Sequence, residues 1–190
     1  LIFLFIFLVG VLAVYYLLPR SARNTFLLIV SLFFYAWGEP SYVAVMIVSI
    51  VLNYTAGRLI AHFKSKDKMN LARLSVAFSS VVDIGLLVFF KYTGFLFDNL
   101  SALFKLSFPF DPFINSIVLP IGISFYTFQM MSYVIDVYRG DTEVQKNILD
   151  FGCYVSLFPQ LIAGPIVQYK TVADQMKNRR ESVEQFAEGV

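Results

Sequence analysis

Gln129, Ser132 and Asp136 are the residues most able to do chemistry in this chain, because they interrupt an apolar segment of membrane length. At 100° per residue they fall within a narrow arc of one helix face. Polar groups are costly in hydrocarbon, so such a stripe either lines an internal path or hydrogen-bonds neighbouring helices. The second reading would pair Asp136 with Arg139 or another cation at the helix end. The pattern alone leaves both open. Asp83, two turns before Lys91, is the fourth candidate path-lining group. A carboxylate there costs roughly 2.5–3.5 kcal/mol on insertion scales, so it must face protein or water, be paired, or be protonated. A structural hydrogen bond is its simpler reading. Asn53, with Ser49 four residues before and Gly57 four after, gives a small, polar helix face suited to close packing.

Other chemistries find no support. His62 is the only histidine, in a basic stretch without a second His or a nearby Cys. It therefore reads as a solvated or headgroup-facing residue, since a catalytic base needs a held partner and a pocket. No metal site is expected. Cys153 has no second cysteine to pair with. Phosphate loops, dinucleotide fingerprints and catalytic triads have no match.

The elements that must carry these groups follow from composition. Of 190 residues, 58% are hydrophobic, 17% aromatic and only 15% charged, against about 25% charged in soluble domains. The mean hydropathy is +0.69. This is an integral membrane protein of all-α, polytopic type. A net charge of +2 gives no footprint for nucleic acid. The chain begins at Leu1 inside an apolar run and stops in a polar, helix-like stretch, so residues 1–190 read as the amino-terminal part of one larger domain. Leu1–Leu18 lacks the charged front and cleavage site of a signal peptide and is taken as a span.

Spans need about 20 apolar residues. Beyond Leu1–Leu18, closed by Pro19-Arg20-Ser21-Ala22-Arg23, we expect a short span over Asn24–Trp37. Longer ones follow over Ser41–Ala61, Leu71–Phe90 and Ile117–Tyr138. That makes about five spans, joined by a basic loop over residues 62–70 and an outer loop over 92–116. Within the outer loop, Phe95–Phe104 suits a helix lying in the interface, and Pro109 and Pro112 break the chain after it. Phe151–Val167 carries Pro159, Gly164 and Pro165. Each proline removes a backbone donor, which lipid cannot replace, so a broken or re-entrant helix is expected. Residues 171–190 form an amphipathic tail.

Basic residues orient these spans. If Arg20 and Arg23 are cytoplasmic, alternation puts Arg58, Lys64, Lys66, Lys68, Arg73, Arg139 and Lys146 there too. With the region after Pro159 left out of the count, only Lys91 and Lys105 fall in the opposite loops. Nine against two is a strong positive-inside bias and puts the amino terminus outside the cytoplasm, in a multi-pass inner-membrane topology.

Five ordered stretches resemble one enzyme family. They are Phe33-Phe34-Tyr35-Ala36-Trp37, Phe90-Lys91-Tyr92, Leu119-Pro120-Ile121-Gly122-Ile123-Ser124-Phe125-Tyr126, the run Val134-Ile135-Asp136-Val137-Tyr138-Arg139-Gly140-Asp141-Thr142, and Phe158-Pro159-Gln160-Leu161-Ile162-Ala163-Gly164-Pro165. The chain resembles the membrane-bound O-acyltransferases, of the bacterial alginate O-acetylation type. The resemblance implies a ring of tilted helices around a thin zone with a tunnel. It implies an O-acyltransferase that adds acetyl groups to an exported polysaccharide, with no bound cofactor. Acetyl-CoA or another cytoplasmic acyl donor would supply the group, and an extracytoplasmic acetyltransferase would be a partner. The family's histidine belongs to a Trp-His segment expected beyond Val190, so no catalytic residue is carried onto His62. The alginate type can also have His where this chain has Gln160, which leaves that position without a catalytic duty. D-alanyl transfer to teichoic acid and a transporter fragment are the alternatives. The latter would show a second broken-helix pattern elsewhere in its sequence.

Overall fold

The computed structural model describes residues 3–104, 119–163 and 168–177, and every regular element among them is helical. A π-helical turn, Phe3–Leu8, leads into α1 (Val9–Leu17), and α2 spans Arg20–Gly38. A 3-10 turn, Pro40–Tyr42, opens α3 (Val43–Ser65), and α4 is Met69–Leu87. A second π-helical turn, Val88–Tyr92, joins α4 to α5 (Thr93–Phe104). Then come α6 (Ile123–Arg139), α7 (Ile148–Ser156), α8 (Phe158–Ala163) and α9 (Tyr169–Lys177). The all-α expectation holds. Pro109, Pro112, Gly164, Pro165 and most of the tail lie outside the described residues.

Several boundaries move from their expected places. The segment read as a short span over Asn24–Trp37 starts at Arg20. Pro19 sits in the N-cap position, where its missing N–H costs nothing. Arg23 turns back to donate Nε to the Leu18 carbonyl at 3.1 Å, and its guanidinium lies over the Tyr15 ring. That cation closes the end of α1, as positive groups do at helix C-termini. Likewise α3 runs on through His62 and Lys64, leaving a turn of three residues before α4. No break occurs at Tyr92, because nothing between Leu87 and Phe104 stops a helix except the tolerated Gly94.

Among the described residues, two helical runs, Pro40–Ser65 and Met69–Leu96, are long and apolar enough to cross a membrane, and Ile6–Leu17 is a shorter apolar helix. At 1.5 Å per residue, α3 alone reaches about 35 Å, whereas the 17 residues of α6 reach about 25 Å. The outward face of α4 presents Leu74, Phe78 and Val81, each more than 60% exposed. Such a row suits lipid and not water, so the protein belongs in a membrane.

The core forms around α6, which packs against α3, α4 and α7, while α2 packs against α7. Tyr126, Met130, Tyr133 and Val134 of α6 are almost fully buried. Both ends of α6 are set by glycine in the left-handed region, Gly122 at φ 75° and Gly140 at φ 88°. Gly140 N–H donates to Asp136 O and Asp141 N–H to the same carbonyl at 2.9 Å, closing the helix as left-handed glycine caps do. Lys64 of α3 finishes that closure, donating Nζ to Tyr138 O at 2.7 Å.

Close approach of α3 and α6 depends on Gly57. A Cβ there would stand 2.8 Å from Tyr133 Cε1 and 2.9 Å from its hydroxyl oxygen. Tyr133 cannot swing aside freely, because its hydroxyl accepts the Gln145 N–H at 3.0 Å. Gly57→Ala should therefore cost about 1–3 kcal/mol through overpacking. A lower melting temperature of the detergent-solubilised protein is the expected result. An unchanged melting temperature would mean the two helices sit further apart.

Candidate functional site

The four predicted path-lining residues do not form one group. Gln129, Ser132 and Asp136 lie along α6 as the spacing required. Gln129 is buried and donates Nε2 to the Tyr154 carbonyl of α7 at 3.0 Å. Ser132 and Asp136 are half-buried, and the Ser132 hydroxyl donates to Asp136 Oδ2 at 3.4 Å. Tyr154 lies beside both Gln129 and Asp136. Asp83 stands apart, reached through α3 and the other side of α6.

That second group is a buried polar knot among α3, α4 and α6. Asn53 donates Nδ2 to Asp83 Oδ1 at 2.9 Å and to the Ser49 carbonyl at 3.1 Å, and the same nitrogen lies 3.7 Å from Met130 Sδ. Ser49, Asn53 and Asp83 are each at most 2% exposed. Asn53 thus does more than allow close packing: it is the partner that a carboxylate on a membrane helix requires.

Next to the stripe is an aromatic and amide wall that the sequence did not reveal. Tyr133, Phe151, Tyr154 and Tyr169 meet edge-on or tilted, with centroids 4.6–6.3 Å apart. Such pairs add about 0.5–1.5 kcal/mol each beyond area burial. Gln145 ties them to the segment after α6. Its Nε2 donates to the Tyr169 hydroxyl at 2.8 Å, and its Oε1 accepts from Lys146 N–H and Asn147 N–H. The Tyr54 hydroxyl donates to Lys146 O at 2.7 Å, and Asn24 Nδ2 to Asp150 Oδ1 at 2.9 Å. Gln145 sits in a polar, irregular stretch, so periodicity offered no signal for it. The tyrosines at 126 and 133, bracketing Gln129 at helical spacing, were the one visible hint.

The helix break expected in Phe151–Val167 is present. Helix α7 ends at Ser156, Leu157 departs from helical geometry, and α8 restarts at Phe158 with Pro159 in its first turn. The amide freed by the break is not lost: Phe158 N–H donates to Ser31 Oγ of α2 at 3.3 Å. Leu161 then packs onto the turn before α6, its carbonyl 2.9 Å from where a Cβ on Gly122 would be. A cavity of about 190 Å³ opens here, lined by Tyr35, Glu39, Ile121 and Leu161 among others. Tyr35 and Tyr126 lie beside each other near it, and neither hydroxyl has a partner of good hydrogen-bond geometry.

His62 is exposed on the last turn of α3, against the Phe63 ring. No group of three His, Cys, Asp or Glu side chains with metal-ligand geometry occurs among the described residues.

Comparison with known proteins agrees with the motifs. The chain is 41% identical over 191 residues to the probable alginate O-acetylase AlgI of Pseudomonas putida, covering 99% of this chain and 38% of that protein. Against the probable alginate O-acetylase AlgI of Pseudomonas aeruginosa it is 42% identical over 189 residues, covering 99% and 36%. A peptidoglycan O-acetyltransferase of Helicobacter pylori is 31% identical over 208 residues, covering 94% and 38%. The chain therefore spans a little over a third of the length of these relatives. No protein-family model and no solved structure matches it. The resemblance drawn from the five motifs holds along nearly the whole chain.

The Asn53–Asp83 pair makes a stability prediction. Asn53→Leu strands a buried carboxyl group, which costs about 1–3 kcal/mol or more. Removing both partners leaves nothing stranded, so Asn53→Leu/Asp83→Leu should melt higher than Asn53→Leu alone. Thermal unfolding in detergent measures this. A double variant no more stable than the single would show that the two side chains do not depend on each other.

Proposed function

We propose that this chain is the membrane-embedded part of an O-acyltransferase that supplies acetyl groups for O-acetylation of an exported polysaccharide. The observation carrying the reading is 41–42% identity to probable alginate O-acetylases along 99% of the chain. The more distant peptidoglycan O-acetyltransferase acts on another polysaccharide by its name, which supports O-acetylation of a polysaccharide as the shared theme. D-alanyl transfer and transport lack a comparable relative among these proteins.

The acyl donor is acetyl-CoA or another cytoplasmic acyl carrier. Transfer forms a bond from an acceptor oxygen to the acyl carbon and breaks the donor's acyl bond. It needs a base within about 2.6–3.2 Å of the acceptor hydroxyl and hydrogen-bond donors for the tetrahedral oxyanion. His62 is exposed and unheld, so the base comes from elsewhere in the full-length enzyme. In this reading Gln129, Ser132 and Asp136 line the internal path beside the Tyr154 wall, and Asp83 is a structural group. An extracytoplasmic acetyltransferase would receive the group on the far side.

The experiment is to measure the acetyl content of exported polysaccharide in strains carrying full-length variants, with membrane protein level as control. His62→Ala should leave acetylation close to wild type. Asp136→Ala should reduce it severalfold at normal protein level. Loss of acetylation in the His62 variant would place the catalytic residue here after all.

We also propose a multi-pass topology with the amino terminus outside the cytoplasm, on the nine-to-two basic asymmetry. In a Cys153→Ser background, Lys66→Cys should resist membrane-impermeant thiol reagents in intact cells and react after lysis. Efficient labelling from outside would invert the topology.

A further inference from the structure

Helices α3 and α4 do not close on each other along their outer side. A groove of about 350 Å³ runs between them, walled by Leu52, Thr55 and Leu59 of α3 and by Leu74, Ser75 and Phe78 of α4. These α3 positions lie on the face roughly opposite Asn53 and Gly57, which are turned to the core. The two hydroxyls in the wall are already committed. Thr55 Oγ1 donates to the Val51 and Leu52 carbonyls at 2.6 and 2.8 Å, and Ser75 Oγ to the Leu71 carbonyl at 2.9 Å. The groove therefore asks its occupant for no hydrogen bond and suits hydrocarbon.

One end of the groove is cationic. Continuing the row Leu52, Thr55, Leu59 at helical spacing leads to His62 and then Lys66, and Lys68 stands just before the first turn of α4. All three are exposed. Neighbouring cations are spent elsewhere: Lys64 on the Tyr138 carbonyl, and Arg73, through Nε, on the Tyr138 hydroxyl at 3.1 Å. Asp67, at φ 56° in the same turn, offsets one of the two free lysines. What remains is an apolar slot in an exposed apolar surface with a net positive mouth.

We propose that this groove binds an anionic phospholipid, with one acyl chain between α3 and α4 and the phosphate against Lys66 and Lys68. A packed helix is a poor occupant. A helix lying across the groove would insert only side chains and leave the two lysines at the mouth without a partner, whereas a phospholipid uses both the slot and the cations. Charge complementarity at the mouth selects an anionic headgroup, since each basic residue near an anionic lipid surface is worth about a fivefold preference. With Asp67 opposing, the net preference over a zwitterionic lipid is about fivefold. This site does not depend on the acyl-transfer reading.

The test uses full-length protein in mild detergent, titrated with phosphatidylglycerol or phosphatidylcholine and followed by native mass spectrometry. Phosphatidylglycerol should be retained about fivefold better. Lys66→Gln/Lys68→Gln should abolish that preference or reverse it, because Asp67 is left unopposed, while leaving phosphatidylcholine binding unchanged. Thr55→Trp fills the slot and should reduce retention of both lipids, at a melting temperature within a few degrees of wild type. A photo-crosslinking residue at Leu59 should capture phospholipid in native membranes even if the tryptophan variant misfolds. Equal retention of the two lipids by wild type, full retention by a folded Thr55→Trp variant, or crosslinking of position 59 to protein instead of lipid would overturn the proposal.

Discussion

Hydrocarbon offers no hydrogen bonds, so backbone polar groups and charged side chains within the bilayer need partners inside the protein. This one constraint explains most of what α6 does. It carries Gln129, Ser132 and Asp136 on one side and meets a buried carboxylate knot on the other. Gln129 is held by a carbonyl of α7, and Asp83 is held by Asn53 beside Met130. The terminal carbonyls of α6 are closed by Gly140 and by a lysine reaching across from α3. Polar contacts thus fix α3 and α7 to α6, and α4 to α3 through Asn53 and Asp83, while apolar packing fills the space between.

The same constraint explains the broken segment. A proline in a spanning helix would leave a carbonyl without its usual donor. Here the chain stops α7 before the proline and restarts a new helix with Pro159 in the first turn, where the missing N–H is least missed. The Phe158 amide then finds Ser31 on α2. Irregular backbone is tolerated because protein covers it: Phe158 is buried with Phe7 and Phe34 around it. Sequence showed that a break must occur, since proline chemistry is local. It did not show that Ser31, 127 positions away in the chain, would make the break affordable.

Legibility divides along that line between local and non-local causes. Helical class, the α6 stripe, the break near Pro159 and the small face at Ser49, Asn53 and Gly57 were readable, because each rests on composition or on a period within one helix. Helix ends were less so. Arg20 and Arg23 looked like a loop because charges usually mark one, yet Arg23 serves by capping the preceding helix with its guanidinium. The partnership of Asn53 with Asp83 and the role of Gln145 were unreadable for a different reason. Both join residues through space, and no period in the sequence connects position 53 with 83 or 145 with 169.

This separation also sorts the polar residues by what they are free to do. Asp83 is fully buried and its Oδ1 accepts from the Asn53 amide, so it serves to hold α3 and α4 together, with its Oδ2 shut away from solvent and substrate. Gln145 has spent its amide and its carbonyl on the wall. Asp136 differs, since among the described residues its side-chain hydrogen-bond partner is Ser132 on the same helix, at 3.4 Å, and it remains half-buried. A weakly held carboxylate at the margin of an aromatic wall has hydrogen-bonding capacity left over. That surplus, and not the mere presence of charge in the segment, is the ground on which we propose Asp136 as the path-lining residue of α6.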